Sequence, residues 1–224
     1  MFKINRLDIN NTKNYVQEVN KIFNQRILHY WDKENWKKYH ITLPLYENYI
    51  LYFLTHTLYR QNALRYEFCN YEKTLERGVG VCSQAATALA DFFNKQGIHT
   101  NVIAWPLHVI TEVEVEPGVW WTVDPDYGVT IPYSIEDINK QPSLIEPFFR
   151  QAGYSNEMIE KVLQTYSYPD KTKFPYNGPG YANCNSIRKK VEDWSYVFIW
   201  LIPLLLITPL AFQKIKKLYV SQKK

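Results

Sequence analysis

Between Trp194 and Phe212 the chain runs for nineteen residues without a charged side chain, and nothing else in the sequence restricts its architecture as strongly. A helix of that length spans roughly 28 Å, close to the hydrocarbon thickness of a bilayer. Trp194, Tyr196 and Trp200 cluster in its first half, where interfacial aromatics sit. Pro203 and Pro209 would kink a helix in water but are tolerated in lipid. A buried core helix is the alternative, but uncharged runs of this length are rare in soluble cores, so residues 194–212 are predicted to cross a membrane.

The flanking charges bear on orientation. Lys214, Lys216, Lys217, Lys223 and Lys224 follow the run with no acidic residue among them; Arg188, Lys189 and Lys190 precede it, diluted by Glu192 and Asp193. The positive-inside rule therefore predicts a cytoplasmic tail and an exported domain. Met1 to Arg6 lacks an apolar stretch, so no secretory leader is expected, and tail-anchored insertion would leave the domain in the cytoplasm. The two expectations oppose each other.

The rest of the 224-residue chain has the composition of one globular domain, 46% hydrophobic and 21% charged overall. Net charge is +4 and five lysines lie in the tail, so the remainder is near neutral and carries no basic stripe for nucleic acid. Cys69, Cys82 and Cys184 form no CxxC, and no HxxxH or HExxH occurs, so no zinc site is expected. Three cysteines allow at most one disulfide and leave at least one free thiol.

Periodicity predicts the elements. Tyr15, Val16, Val19, Ile22, Phe23 and Ile27 recur at helical spacing, giving a helix from Asn11 to about Lys38. A second helix is expected from Pro44 to about Asn62, with Leu45, Tyr49, Ile50, Phe53, Leu54 and Leu58 facing the core. Tyr66 to Val81 reads as irregular. Cys82, Ala85, Ala86, Leu89, Phe92 and Phe93 define a helix stopped by Gly97. Thr100 to Trp105, His108 to Glu116 and Val119 to Asp124 read as strands, the last two joined at Pro117-Gly118. Ser134 caps a short helix, Asn156 to Tyr166 is another, and residues 171–193 read as a linker. The expected organisation is a helical part at 1–44, a core at 45–170, a linker at 171–193, the span at 194–212 and a basic tail at 213–224.

Cys82, His108 and Asp124 stand in this frame as a thiol, an imidazole and a carboxylate, the parts of an activated nucleophile. A helix N-terminus favours the thiolate form of a cysteine and offers backbone N–H groups to an oxyanion. Gly78 and Gly80 would let substrate approach the chain ahead of Cys82. His108 and Asp124 lie on consecutive strands, and register decides whether they meet. A regular two-residue loop pairs Glu116 with Val119 and sends Asp124 to the face opposite His108. A three-residue loop, or a bulge, puts both on one face, and a triad requires one of these.

Gly78-Val79-Gly80-Val81-Cys82, a helix ending at Gly97-Ile98, a strand, then His108 and Trp120-Trp121-Thr122-Val123-Asp124-Pro125 together resemble the transglutaminase-like superfamily over roughly residues 45–132. The resemblance implies an α+β, papain-like core in which a Cys-bearing helix packs on an antiparallel sheet. It implies Cys82 as nucleophile, His108 as general base and acid, and Asp124 as the residue that orients it. The implied activity is hydrolysis or acyl transfer at an amide or peptide bond of a peptide or amide-bearing substrate, with no cofactor and no metal. Tyr66, Tyr71 and Gln84 are candidates for an additional oxyanion donor. An arylamine-acetyltransferase-like enzyme using acyl-CoA, and a catalytically silent binding module at the membrane, are the alternatives.

Overall fold

A computed structural model describes residues 7–29, 43–57, 66–176, 184 and 186–221. Its centre is a five-stranded antiparallel sheet in the order β6-β5-β4-β3-β7, built from β3 (Thr100–Ala104), β4 (Val109–Glu116), β5 (Val119–Asp124), β6 (Val129–Ile131) and β7 (Thr172–Pro175). Helices cover both faces, so the chain is α+β. On one face lie α1 (Thr12–Arg26) and α4 (Cys82–Lys95), whose Val16, Val19, Phe23, Leu89 and Phe93 pack against Val113, Val115 and Val123. On the other, α5 (Ile135–Lys140), α6 (Glu146–Gln151) and α7 (Asn156–Tyr166) cover Ile103, Ile110, Val129 and Ile131. Two buried faces explain why both Ile110 and Val113 are fully enclosed although they alternate along one strand.

The Pro117-Gly118 turn has two residues, with Glu116 paired to Val119 and Gly118 at φ 77°. The ladder then shifts by one between Glu114 and Glu116, so that Glu114 pairs with Trp120 and Thr111 with Val123. Val115 is the extra residue of a β-bulge. Continued one step, this register sets Asp124 across from Ile110, on the face that His108 shares. The short loop alone would have separated the two residues; the bulge restores them.

Several expectations need correction. Helix α1 ends at Arg26, not near Lys38. Ile27 turns extended and β1 (Leu28–His29) pairs in parallel with β2 (Val79–Gly80); residues 30–42 lie outside the described residues. Helix α2 starts at Tyr49, because the Asn48 side chain accepts the Leu51 N–H at 3.0 Å and caps it there, leaving Pro44 before a preceding turn. Its buried residues are Leu51 and Thr55, whereas Leu45 and Phe53 are exposed. The expected run beyond Thr57, to Asn62, also lies outside the described residues. Tyr71–Arg77 is a helix, α3, capped by Asn70 and ended by Gly78 at φ 66°. Residues 172–175 are not linker but the sheet's edge strand: β7 pairs with β3, and Lys173 bridges Glu112 at 2.6 Å and Glu136 at 2.9 Å.

The apolar run belongs to α8 (Ser186–Ser221), a 36-residue helix that contains both Pro203 and Pro209. It is long and apolar enough to cross a membrane. Its first turns are fastened to the domain: buried Glu192 accepts from the Cys69 and Asn70 N–H groups and from Tyr66 Oη, each at 3.0 Å. Ser195 is still buried and accepts from Asn48 Nδ2 at 2.7 Å, and from Trp200, 78% exposed, the helix leaves the domain.

Candidate active site

Cys82 opens α4. Val81 before it is extended, no side chain caps the first turn, and the thiol is buried and not disulfide-bonded. The other two cysteines are joined to each other as Cys69–Cys184. Parallel pairing of β1 with β2 fixes the backbone leading into Cys82.

Both glycines ahead of the thiol have internal reasons to be glycine. Gly78 takes the left-handed conformation that ends α3. A Cβ at Gly80 would stand 2.9 Å from Gln84 Cγ. Gln84 in turn is committed to the Phe68 N–H at 2.6 Å, the Phe68 carbonyl at 2.9 Å and Thr74 Oγ1 at 2.8 Å. Tyr66 Oη donates to Glu192, and Tyr71 Oη to Glu72 at 3.3 Å. None of the three candidate oxyanion donors is therefore unengaged.

His108 lies just before β4. The Trp105 N–H donates to its carbonyl at 2.8 Å, closing a tight turn around Pro106-Leu107. Its Nε2 stands 2.8 Å from Asp124 Oδ2, and Cys82 lies near enough to act on the imidazole electrostatically. The structure thus brings Cys82, His108 and Asp124 together. Burial works against the imidazolium, but the Asp124 carboxylate and then Cys82 overcome it and push His108 up to about 10.

Asp124 is fully enclosed and both its oxygens are occupied. Oδ1 accepts the N–H groups of Asp126 (3.0 Å) and Tyr127 (3.3 Å); Oδ2 accepts Tyr166 Oη (2.8 Å) beside His108. Burial, followed by the adjacent Asp124 charge, drives the Tyr166 hydroxyl well above its ordinary pKa, so it stays a donor. Helix α1 braces the same turn from behind. Asn20 Nδ2 donates to the carbonyls of Val129 (3.0 Å) and Asp124 (3.4 Å), and Asn24 Nδ2 to those of Asp126 (2.8 Å) and Pro125 (3.1 Å).

A second His–Asp pair flanks the first. His29, opposite Gly80 in the β1–β2 ladder, contacts Asp126 through Nδ1. Burial and then the charge of His108 hold it down at about 4, so it is neutral at pH 7 and donates to Asp126. Sequence reasoning missed His29, Asp126 and Tyr166, which have no motif. It also missed Asn20, although a buried asparagine between Val19 and Phe23 on an apolar stripe is a legible signal.

No group of three or more His, Cys, Asp or Glu side chains among the described residues is arranged to hold a metal ion. No protein-family model matches this sequence, and no curated protein or solved structure matches it.

Proposed function

We propose that this chain is a membrane-anchored, transglutaminase-like cysteine enzyme that acts on an amide or peptide bond. The observation that carries the reading is that His108 is bonded to the Asp124 carboxylate and interacts with Cys82, which opens a helix without a side-chain cap. With the proton held on His108 as imidazolium, the Cys82 sulfur attacks the carbonyl carbon. The oxyanion that forms is stabilised by first-turn N–H groups of α4, Cys82's own among them. His108 then returns the proton to the departing amine and an acyl-enzyme remains, to be released to water or to an amine. Asp124 keeps the imidazole turned, and Tyr166 with the Asp126 and Tyr127 N–H groups keeps Asp124 turned.

Residues 194–212 serve as the anchor. The Cys69–Cys184 disulfide supports an oxidising compartment for the domain and agrees with a cytoplasmic lysine-rich tail.

The test is alkylation of the full chain in detergent with iodoacetamide, followed by peptide mapping. Cys82 is expected to react at neutral pH, and His108→Ala to slow it by at least tenfold. A Cys82 no more reactive than a free cysteine in denatured protein, or indifferent to His108, sinks the proposal.

A further inference from the structure

The turn that carries His108 forms one wall of a cavity. Trp105, Pro106 and Leu107 face Lys161, Gln164 and Thr165 of α7 across a space of about 390 Å³, with Tyr168 at its end. A second recess of about 250 Å³ shares Leu107 and Thr165 with the first and reaches His108 and Tyr127. Together they make a path from open solvent to the imidazole. Its mouth is apolar although it faces water: Leu107 is 83% exposed and Tyr168 48%.

The chemistry of the lining selects an occupant. Lys161 and the His108 imidazolium are the charged groups lining the two recesses, and each is already paired with a carboxylate, Lys161 Nζ 2.7 Å from Glu157 and His108 Nε2 2.8 Å from Asp124. The lining therefore holds no unneutralised charge for a phosphate or a carboxylate, which argues against acyl-CoA. Trp105 is 95% buried, and its indole N–H has no hydrogen-bond partner among the described residues. That nitrogen is enclosed, so Trp105 offers the cavity ring surface and no donor. An uncharged segment with an apolar side chain suits this lining.

We infer that this cavity binds the amine side of the scissile bond, and that it takes an apolar or aromatic residue of a neutral peptide segment. The inference rests on the reading of Cys82 and His108 given above. His108 protonates the departing amine, so whatever is attached to that amine lies on the His108 side of the thiol, where the cavity opens. Leu107 and Tyr168 close on the side chain.

Chloroacetamides test this on the full chain in detergent. The Cys82 sulfur displaces chloride from ClCH2–CO–NH–R, forming a C–S bond as C–Cl breaks, and R extends toward the amine side. Three probes are compared: R as hydrogen, R as a phenylalanine N-methylamide and R as an aspartate N-methylamide. The phenylalanine probe is expected to alkylate Cys82 at least tenfold faster than the parent, and the aspartate probe no faster than the parent. That ratio is expected to fall to about one within Leu107→Asp and within Tyr168→Ala, both changes at exposed side chains. A native ratio near one, or an equal gain from aspartate, overturns the subsite. A parent rate that is slow and indifferent to His108→Ala instead overturns the enzyme reading, so the two failures are distinguishable.

Discussion

Asp124 holds its place through hydrogen bonds from four directions, and the cost of removing each differs. Tyr166→Phe deletes one donor to a buried carboxylate while keeping the ring, whose centroid lies 5.1 Å from that of Trp105. Bonds to charged groups contribute about 1.5–3 kcal/mol, so unfolding by denaturant is expected to show a loss of about 2 kcal/mol. The alkylation rate of Cys82 should fall with it, because His108 is then held by a less constrained partner. Asp124→Asn acts on charge instead. With Asp124 present, His108 is raised to about 10, so the imidazolium persists below that pH. The raised value means that the pair's contribution to stability is complete below about 6.5, the ordinary histidine value, and disappears as pH rises through about 10. Replacing the carboxylate should move the His108 midpoint down, because burial is then opposed only by Cys82. Histidine-selective NMR across pH 5–11, assigned with His108→Ala, reads this directly; an unchanged midpoint would remove Asp124 as the cause.

At the level of elements, the lead into α4 is set by fit rather than by catalysis. Gly80→Ala would force a Cβ to 2.9 Å from Gln84 Cγ and 3.0 Å from Gln84 Cβ, both near the root of a side chain pinned by three hydrogen bonds. Overpacking of this kind costs about 1–3 kcal/mol. Gly97→Ala meets nothing within 4 Å and has only its φ of +78° against it, so it should cost about 1 kcal/mol. Thermal unfolding of the two variants is expected to rank Gly80→Ala as the more damaging, with Cys82 reactivity also reduced only there. The same segment shows what could be read from sequence. The stripe of α4, the capping serine at Ser134 and the alternation of β4 were legible because each is a local pattern with a burial reason. Helix α3 was not, although Asn70 and Gly78 mark its ends, because seven residues give too little periodicity and Gly78 suggested a substrate loop. Strand β7 was hidden by its Pro- and Tyr-rich surroundings, and its place is set by distant partners, Glu112 and Val102 among them. The Cys82–His108–Asp124 set was legible as residue types in order. The Val115 bulge that lets two of them face each other was legible only as a requirement.

The whole molecule is held as one unit across a long stretch of sequence. The Cys69–Cys184 bond closes a loop with a separation of 115 residues and ties the start of α8 to the segment before α3. Around it, Lys189 contacts Asp91, Arg188 donates to the Glu67 carbonyl at 2.9 Å, and Glu67 accepts Ser83 Oγ at 2.7 Å. The stem of α8 is thus connected, through Glu67 and Ser83, to the first turn of α4. Closing so long a loop contributes at most about 4–5 kcal/mol in the chain-entropy model. The Glu192 bonds hold α8 to the same segment independently, so Cys69→Ser with Cys184→Ser should lose less than that ceiling and leave the domain folded. Thiol counting tests the arrangement together with its compartment. Protein taken from membranes, quenched in acid, unfolded in detergent and treated with a maleimide–polyethylene glycol should add one polymer per chain, at Cys82. After reduction it should add three. The Cys82→Ser variant should add none before reduction and two after. Three additions without reductant would remove the disulfide and, with it, the argument that the domain faces an oxidising space. A single addition, combined with protection of the lysine-rich tail from trypsin in sealed right-side-out vesicles, would place Cys82 and its substrate on the outer side.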